Sequence, residues 1–181
     1  MIEAIQRRMA ARRSGDENQG GFTLIELMVV VMIIAILVGI AIPAFLGARR
    51  RAQDTASKSN LRNALGTAQT LFTDSQAYLA TAAMATELGK EEPSLTFGDN
   101  DDVSANAKTI SIKTGDSGIT NAVQDTIYLA SKSGSNTCFY VRHVATAGDA
   151  LSGTYQASSK TAACTGDGAD GLADAAWTPV Q

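Results

Sequence analysis

Apolar residues are concentrated in one uninterrupted block near the start of the chain. Residues 27–46 include no charged side chain, and twenty mostly apolar residues are enough to cross a bilayer as a helix. Glu26 precedes the block, and Arg49, Arg50 and Arg51 follow it. The pattern predicts a membrane-inserted helix whose exit is marked by three cations that can reach lipid headgroups.

After the arginines, the spacing of apolar residues becomes that of an amphipathic helix. Leu61, Leu65, Phe72 and Leu79 belong to a stripe that recurs every three or four residues, with polar residues opposite. We therefore expect one long helix, apolar over residues 22–48 and amphipathic over residues 49–80. The polar, arginine-containing residues 1–21 cannot form a core and are interpreted as a leader.

From residue 81 onward, the pattern predicts a short helix followed by strands. Residues 81–88 form the helix, with Thr81 as its cap. Alternation at residues 109–113, 126–130 and 139–142 predicts half-buried antiparallel strands, and a weaker strand is expected at 154–157. Residues 133–136 suit a hairpin turn, and the tail from Ala162 is expected to be loop. The fold class is α+β: a long N-terminal helix packed on a small antiparallel sheet domain, residues 81–181.

Charge is unevenly distributed along the 181 residues. The whole chain has a net charge of −3, whereas residues 52–181 contain 8 Lys and Arg against 14 Asp and Glu. An acidic soluble part argues against nucleic acid as the main partner.

The chain has two cysteines, Cys138 and Cys164. An even pair in an exported domain predicts a disulfide, and two unpaired buried thiols are the alternative.

Asp167, Asp170 and Asp174 lie in a glycine-rich tail and are a weak candidate for a Ca²⁺ site. The alternative interpretation is a solvated acidic loop. A second acidic run at residues 99–102 is weaker still. We expect no cofactor and no bound metal.

No catalytic constellation is visible in the sequence. His143 is the only histidine, and no nucleophile and base motif accompanies it. It is interpreted as a residue on a sheet face, and Trp177 is expected to pack the tail. The sequence therefore predicts a protein that is not an enzyme.

Glu26 is the unusual residue of the apolar segment, because a carboxylate near a bilayer core is costly. If the chain is cut after Gly21, Phe22 gains an α-amine, which could pair with Glu26 of another copy. The alternative is an interfacial glutamate that a helix N-terminus favours.

The stretch GFTLIEL resembles the cleavage motif of type IV prepilins. That resemblance implies cleavage after Gly21 by prepilin peptidase, N-methylation of Phe22, and a role for Glu26 in assembly.

Pro43 removes a helical hydrogen bond that would otherwise reach the carbonyl of Gly39, itself a poor helix former. One interpretation is a tolerated kink in a membrane helix. The resemblance implies another: a segment near Pro43 that unwinds in an assembled filament.

The resemblance further implies a type IV pilin-like fold and function. The chain would be a single-pass membrane precursor, then a subunit of a helical homo-oligomeric pilus at the cell surface that serves motility, adhesion or DNA uptake. Its partners would be prepilin peptidase and the membrane pilus assembly machinery. The alternatives are a pseudopilin of a type II secretion system and a membrane-anchored adhesion module that does not polymerise.

Overall fold

The computed structural model describes residues 21–115, 124–146 and 152–180. The predicted leader, except for Gly21, lies outside these residues. The chain divides into two compact units, a first that ends at Phe45 and a second that spans Leu46–Gln181. One helix, α1 (Leu24–Ser75), contributes to both.

In the first unit, the side chains of α1 are exposed. Within the described residues, the large apolar side chains from Phe22 to Phe45 are exposed, and Phe22 itself is 79% exposed. By length and composition this is the one helix of the described chain that can span a membrane. Exposed apolar side chains along a helix of this length suit a surface that faces lipid or another subunit.

In the second unit, α1 buries the predicted stripe. Leu61, Ala64, Leu65 and Ala68 are buried against the sheet, which confirms the amphipathic pattern. The helix ends at Ser75, earlier than the expected residue 80, because Gln76 adopts a left-handed backbone with φ of 56°. Tyr78 nevertheless packs into the same core from the segment that follows the helix.

Among the described residues, a sheet of six strands follows a second helix, α2 (Thr81–Glu91). The strands are β1 (Thr96–Gly98), β2 (Thr109–Gly115), β3 (Thr126–Lys132), β4 (Cys138–Val144), β5 (Gly153–Ser159) and β6 (Thr178–Pro179). They lie in the sheet in chain order. Every neighbouring pair is antiparallel except β1 with β2, which are parallel. The α+β prediction is confirmed, with one parallel pair added.

The two faces of the sheet bury different clusters. Ile110, Ile112, Ile127 and Leu129 face α1 and α2, as their alternation predicts. Tyr140 and Ala157 face the opposite side, where the C-terminal tail covers them.

The expectation that this tail is loop was wrong. It contains a helix, α3 (Gly166–Asp170), a 3₁₀ turn (Asp174–Ala176) and β6. Thr165 caps α3 by accepting a hydrogen bond from the Gly168 backbone N–H at 2.9 Å. These elements are two to five residues long, too short to produce a periodic pattern in the sequence.

Candidate functional site

The beginning of α1 brings together the residues of the predicted processing site. Gly21 and Phe22 precede the helix, and Thr23 caps it. The Glu26 backbone N–H donates to Thr23 Oγ1 at 3.2 Å, and Glu26 Oε2 accepts from the Thr23 backbone N–H at 3.4 Å. This is a reciprocal capping box. In a single copy, Glu26 therefore has local partners, and the exposed carboxylate still has room to accept from another chain.

Pro43 lies inside α1, and the helix continues through it. A Cβ atom added at Gly39 or Gly47 would meet nothing within 4 Å among the described residues. These positions recur every four residues and therefore share one face of the helix. That face is open to close approach by another helix.

In the second unit, a polar contact attaches α1 to the β3–β4 hairpin. Asp54 Oδ1 accepts hydrogen bonds from Ser133 Oγ and Ser135 Oγ, both at 2.5 Å. Burial acts to raise the pKa of Asp54, but the two hydroxyl donors and nearby lysines hold it below its usual value. Ser133 and Ser135 belong to the predicted hairpin turn, which the structure contains.

The tail is held on the sheet by a covalent bond and by close packing. Cys138 on β4 and Cys164 form the predicted disulfide, with Cα atoms 5.5 Å apart. Gly166 donates its backbone N–H to the buried Ser111 Oγ at 2.8 Å. A Cβ atom at Gly166 would lie 2.6 Å from the Ile112 carbonyl carbon, so only glycine fits there.

The three tail carboxylates do not converge. Lys113 Nζ lies 2.8 Å from Asp167 Oδ1 and 2.7 Å from Asp170 Oδ2, whereas Asp174 Oδ1 lies 3.1 Å from Arg142 Nη1. Hydrogen bonds to both aspartates raise the pKa of Lys113. Within the described residues, no three His, Cys, Asp or Glu side chains are placed to hold a metal ion.

Sequence reasoning missed Lys113 and Arg142, which supply these cations. Alternation along β2 and β4 places both on the tail side of the sheet, and this was the available signal. Arg142 is buried, with its guanidinium carbon 4.9 Å from the Tyr155 ring centre and 5.0 Å from that of Trp177. It forms the core of a cation–π stack, which fixes the tail and explains the burial of Trp177.

His143 lies on the helix side of the sheet. Its Nδ1 is 2.7 Å from the Tyr78 hydroxyl, which is a structural hydrogen bond between β4 and the segment after α1. Burial lowers the pKa of His143, so the neutral imidazole is favoured.

A groove of about 530 Å³ lies between α1 and strands β4–β6 in the second unit. Its apolar part includes Leu65, Val141 and Val180, and its cations are Lys58 and Arg62. We refer to it as the cationic groove.

Comparison with known proteins connects this geometry to a family. Residues 17–42 match the family described as the prokaryotic N-terminal methylation motif. The type IV wide pilus major component PilA4 of Thermus thermophilus is 40% identical over 103 residues, which are 56% of this chain and 76% of that protein. The chain belongs to the type IV pilin family. A type IV pilin is a structural subunit of a pilus, and the exposed apolar helix fits a membrane-anchored precursor of one.

A second pilin relative agrees over a shorter range. The type IV major pilin protein PilA of Myxococcus xanthus is 50% identical over 64 residues, which are 35% of this chain and 28% of that protein. No solved structure matches this pilin.

Proposed function

We propose that this pilin is a major, polymerising subunit of a surface filament, matured by cleavage between Gly21 and Phe22 and by methylation of the Phe22 amine. The N-terminal motif over residues 17–42 is the observation that carries the proposal. The two named relatives are major pilus components, which supports the major role. The chain is then a substrate of prepilin peptidase and a client of the membrane assembly machinery, and not an enzyme.

Glu26 is the proposed assembly residue. Its capping box with Thr23 stabilises the start of α1 in each copy, and cleavage places the new Phe22 amine four residues away. In a filament, the amine of one copy can approach the carboxylate of another in an apolar environment, where attraction between charges is strong. In the same filament, Gly39 is proposed to allow close contact with a neighbouring helix. Pro43, which removes the helical hydrogen bond to the Gly39 carbonyl, is proposed to make this segment of α1 extensible.

The test is the composition of sheared surface filaments. The expected result is that this pilin is their main protein, with an intact mass that corresponds to a chain starting at methylated Phe22. A chain that still starts at Met1 and is absent from the filaments would refute the proposal. Glu26→Gln keeps the capping geometry but removes the charge, so we expect normal cleavage and at least about a tenfold loss of filaments.

A further inference from the structure

The cationic groove is an apolar surface with two exposed cations at its side. Lys58 and Arg62 are exposed, and neither forms an ion pair among the described residues. Lys58 Nζ lies 4.8 Å above the Phe139 ring, so one cation already points across the groove. Such a surface can bind a short segment that carries both an apolar side chain and carboxylates.

The same chain contains such a segment, residues 101–103, which we refer to as the acidic loop. Asp101, Asp102 and Val103 are all exposed, and Val103 has 62% of its surface accessible. In the described part of the chain beyond Leu46, the only other exposed large apolar residue is Val180, which lines the cationic groove. The two exposed apolar positions therefore lie in two surfaces of opposite charge.

The acidic loop is fixed at both ends. The Asp99 backbone N–H donates to Asp102 Oδ2 at 3.0 Å, and the Ser104 backbone N–H donates to the Cys164 carbonyl at 2.9 Å. A hydrogen bond to Asp167 and repulsion from it raise the pKa of Asp101. The loop is thus preorganised and carries crowded negative charge that a cation from outside would relieve.

Sheet topology separates the two surfaces. The acidic loop follows β1, one edge strand of the sheet, whereas the cationic groove is lined by β4, β5 and β6 at the other edge. Complementary surfaces at different places on one molecule give a head-to-tail contact, and such a contact generates an open polymer when the rotation between copies does not close a ring.

We propose that the acidic loop of one copy binds in the cationic groove of the next copy in the filament. Val103 would cover the apolar floor of the groove, and Asp101 and Asp102 would face Arg62 and Lys58. This inference rests on the proposed polymerisation and specifies which surfaces of the second unit meet.

The test is a charge exchange in cells that assemble the filament. Arg62→Glu and Asp101→Lys are each expected to lower the pilin in sheared filaments at least about tenfold, since like charges would then meet across the contact. The two changes combined are expected to restore filaments to within about threefold of the wild type. Lys108→Glu is the matched control, because Lys108 is an exposed cation outside the groove.

Two further measurements make the outcome decisive. The membrane pool of each variant is quantified, so that only variants present at wild-type level are compared. In filaments of the paired variant Val103→Cys with Gln69→Cys, a short thiol cross-linker is expected to join different copies, because Gln69 lines the groove. Failure of the charge exchange to restore filaments, or absence of the cross-link, overturns the inference. Absence of filaments in the wild type would instead refute the proposed function itself.

Discussion

Loss of the disulfide is expected to weaken the second unit by a large and calculable amount. The change is Cys138→Ala with Cys164→Ala, which removes the bond between β4 and the tail. The two cysteines are 26 residues apart in the chain. On the chain-entropy account, opening a loop of that length adds about 3.5 kcal/mol of conformational freedom to the unfolded state at 25 °C.

That loss is large compared with the total stability of a domain, about 5–15 kcal/mol. It acts through the unfolded state, so the folded tail can keep its other contacts. Gly166 still donates to Ser111, and Lys113 still lies between Asp167 and Asp170. We therefore expect the variant to fold, with a lower denaturation midpoint and an unchanged sheet.

Trp177 provides the assay, because it is the only tryptophan and is buried in the cluster that the tail forms with the sheet. Urea unfolding of the full-length protein in detergent is followed by Trp177 fluorescence. Far-ultraviolet circular dichroism at the same urea concentrations reports the sheet and the helices. Wild-type protein treated with a phosphine reductant is the control, since it loses the bond without any substitution and should match the variant.

A loss of less than about 1 kcal/mol in both the variant and the reduced protein would refute the reasoning. It would mean that the unfolded chain is already compact around the two cysteines, or that the other tail contacts determine the transition. If the variant lacks the fluorescence of buried Trp177 in the absence of urea, the disulfide is required for the tail to pack on the sheet.

Three other changes test separate contacts. Gly166→Ala forces a methyl group against the β2 backbone, so we expect a loss of about 1–3 kcal/mol in urea unfolding, while Gly89→Ala, at an open position, serves as control. Lys113→Met leaves Asp167 and Asp170 without their shared cation. Because these two ion pairs are partly exposed, we expect a loss of about 0.5–1 kcal/mol in the free energy of unfolding at pH 7. The difference from the wild type should shrink as the pH falls and the carboxylates protonate. The pKa of His143 is lowered in the folded state, so the unfolded state binds more protons at this residue. The contribution of His143 to the free energy of unfolding should therefore fall from about pH 7.5 to pH 5. Thermal unfolding of His143→Gln should lose that part of the pH dependence.

The strongest periodic signals in the sequence predicted the fold well. The apolar block and the helical stripe through Leu61 and Leu65 correspond to α1, and the alternation at Ile110 and Ile112 corresponds to β2. These elements are long enough for hydrophobic spacing to determine their type. The end of α1 was misplaced because Tyr78 continues the apolar spacing after Gln76 has already turned the backbone.

Short and non-local features were not accessible in the same way. Strand β1 has three residues and pairs in parallel with β2, which no local pattern encodes. The contacts of Lys113 with Asp167 and Asp170 join residues more than fifty positions apart. The acidic tail therefore looked like a metal candidate in the sequence, whereas in the structure a lysine already occupies the space between the carboxylates.

The chain-order arrangement of the sheet has a consequence for how the exported part folds. Each strand pairs with the one made just before it, so no strand has to wait for a distant partner. As the polypeptide emerges on the far side of the membrane, the sheet can grow one strand at a time from β1. Cys164 follows β5 in the chain, so the covalent bond to Cys138 can form only after the chain has crossed as far as residue 164. The disulfide is therefore expected to form late, after strands β1 to β5 have crossed the membrane.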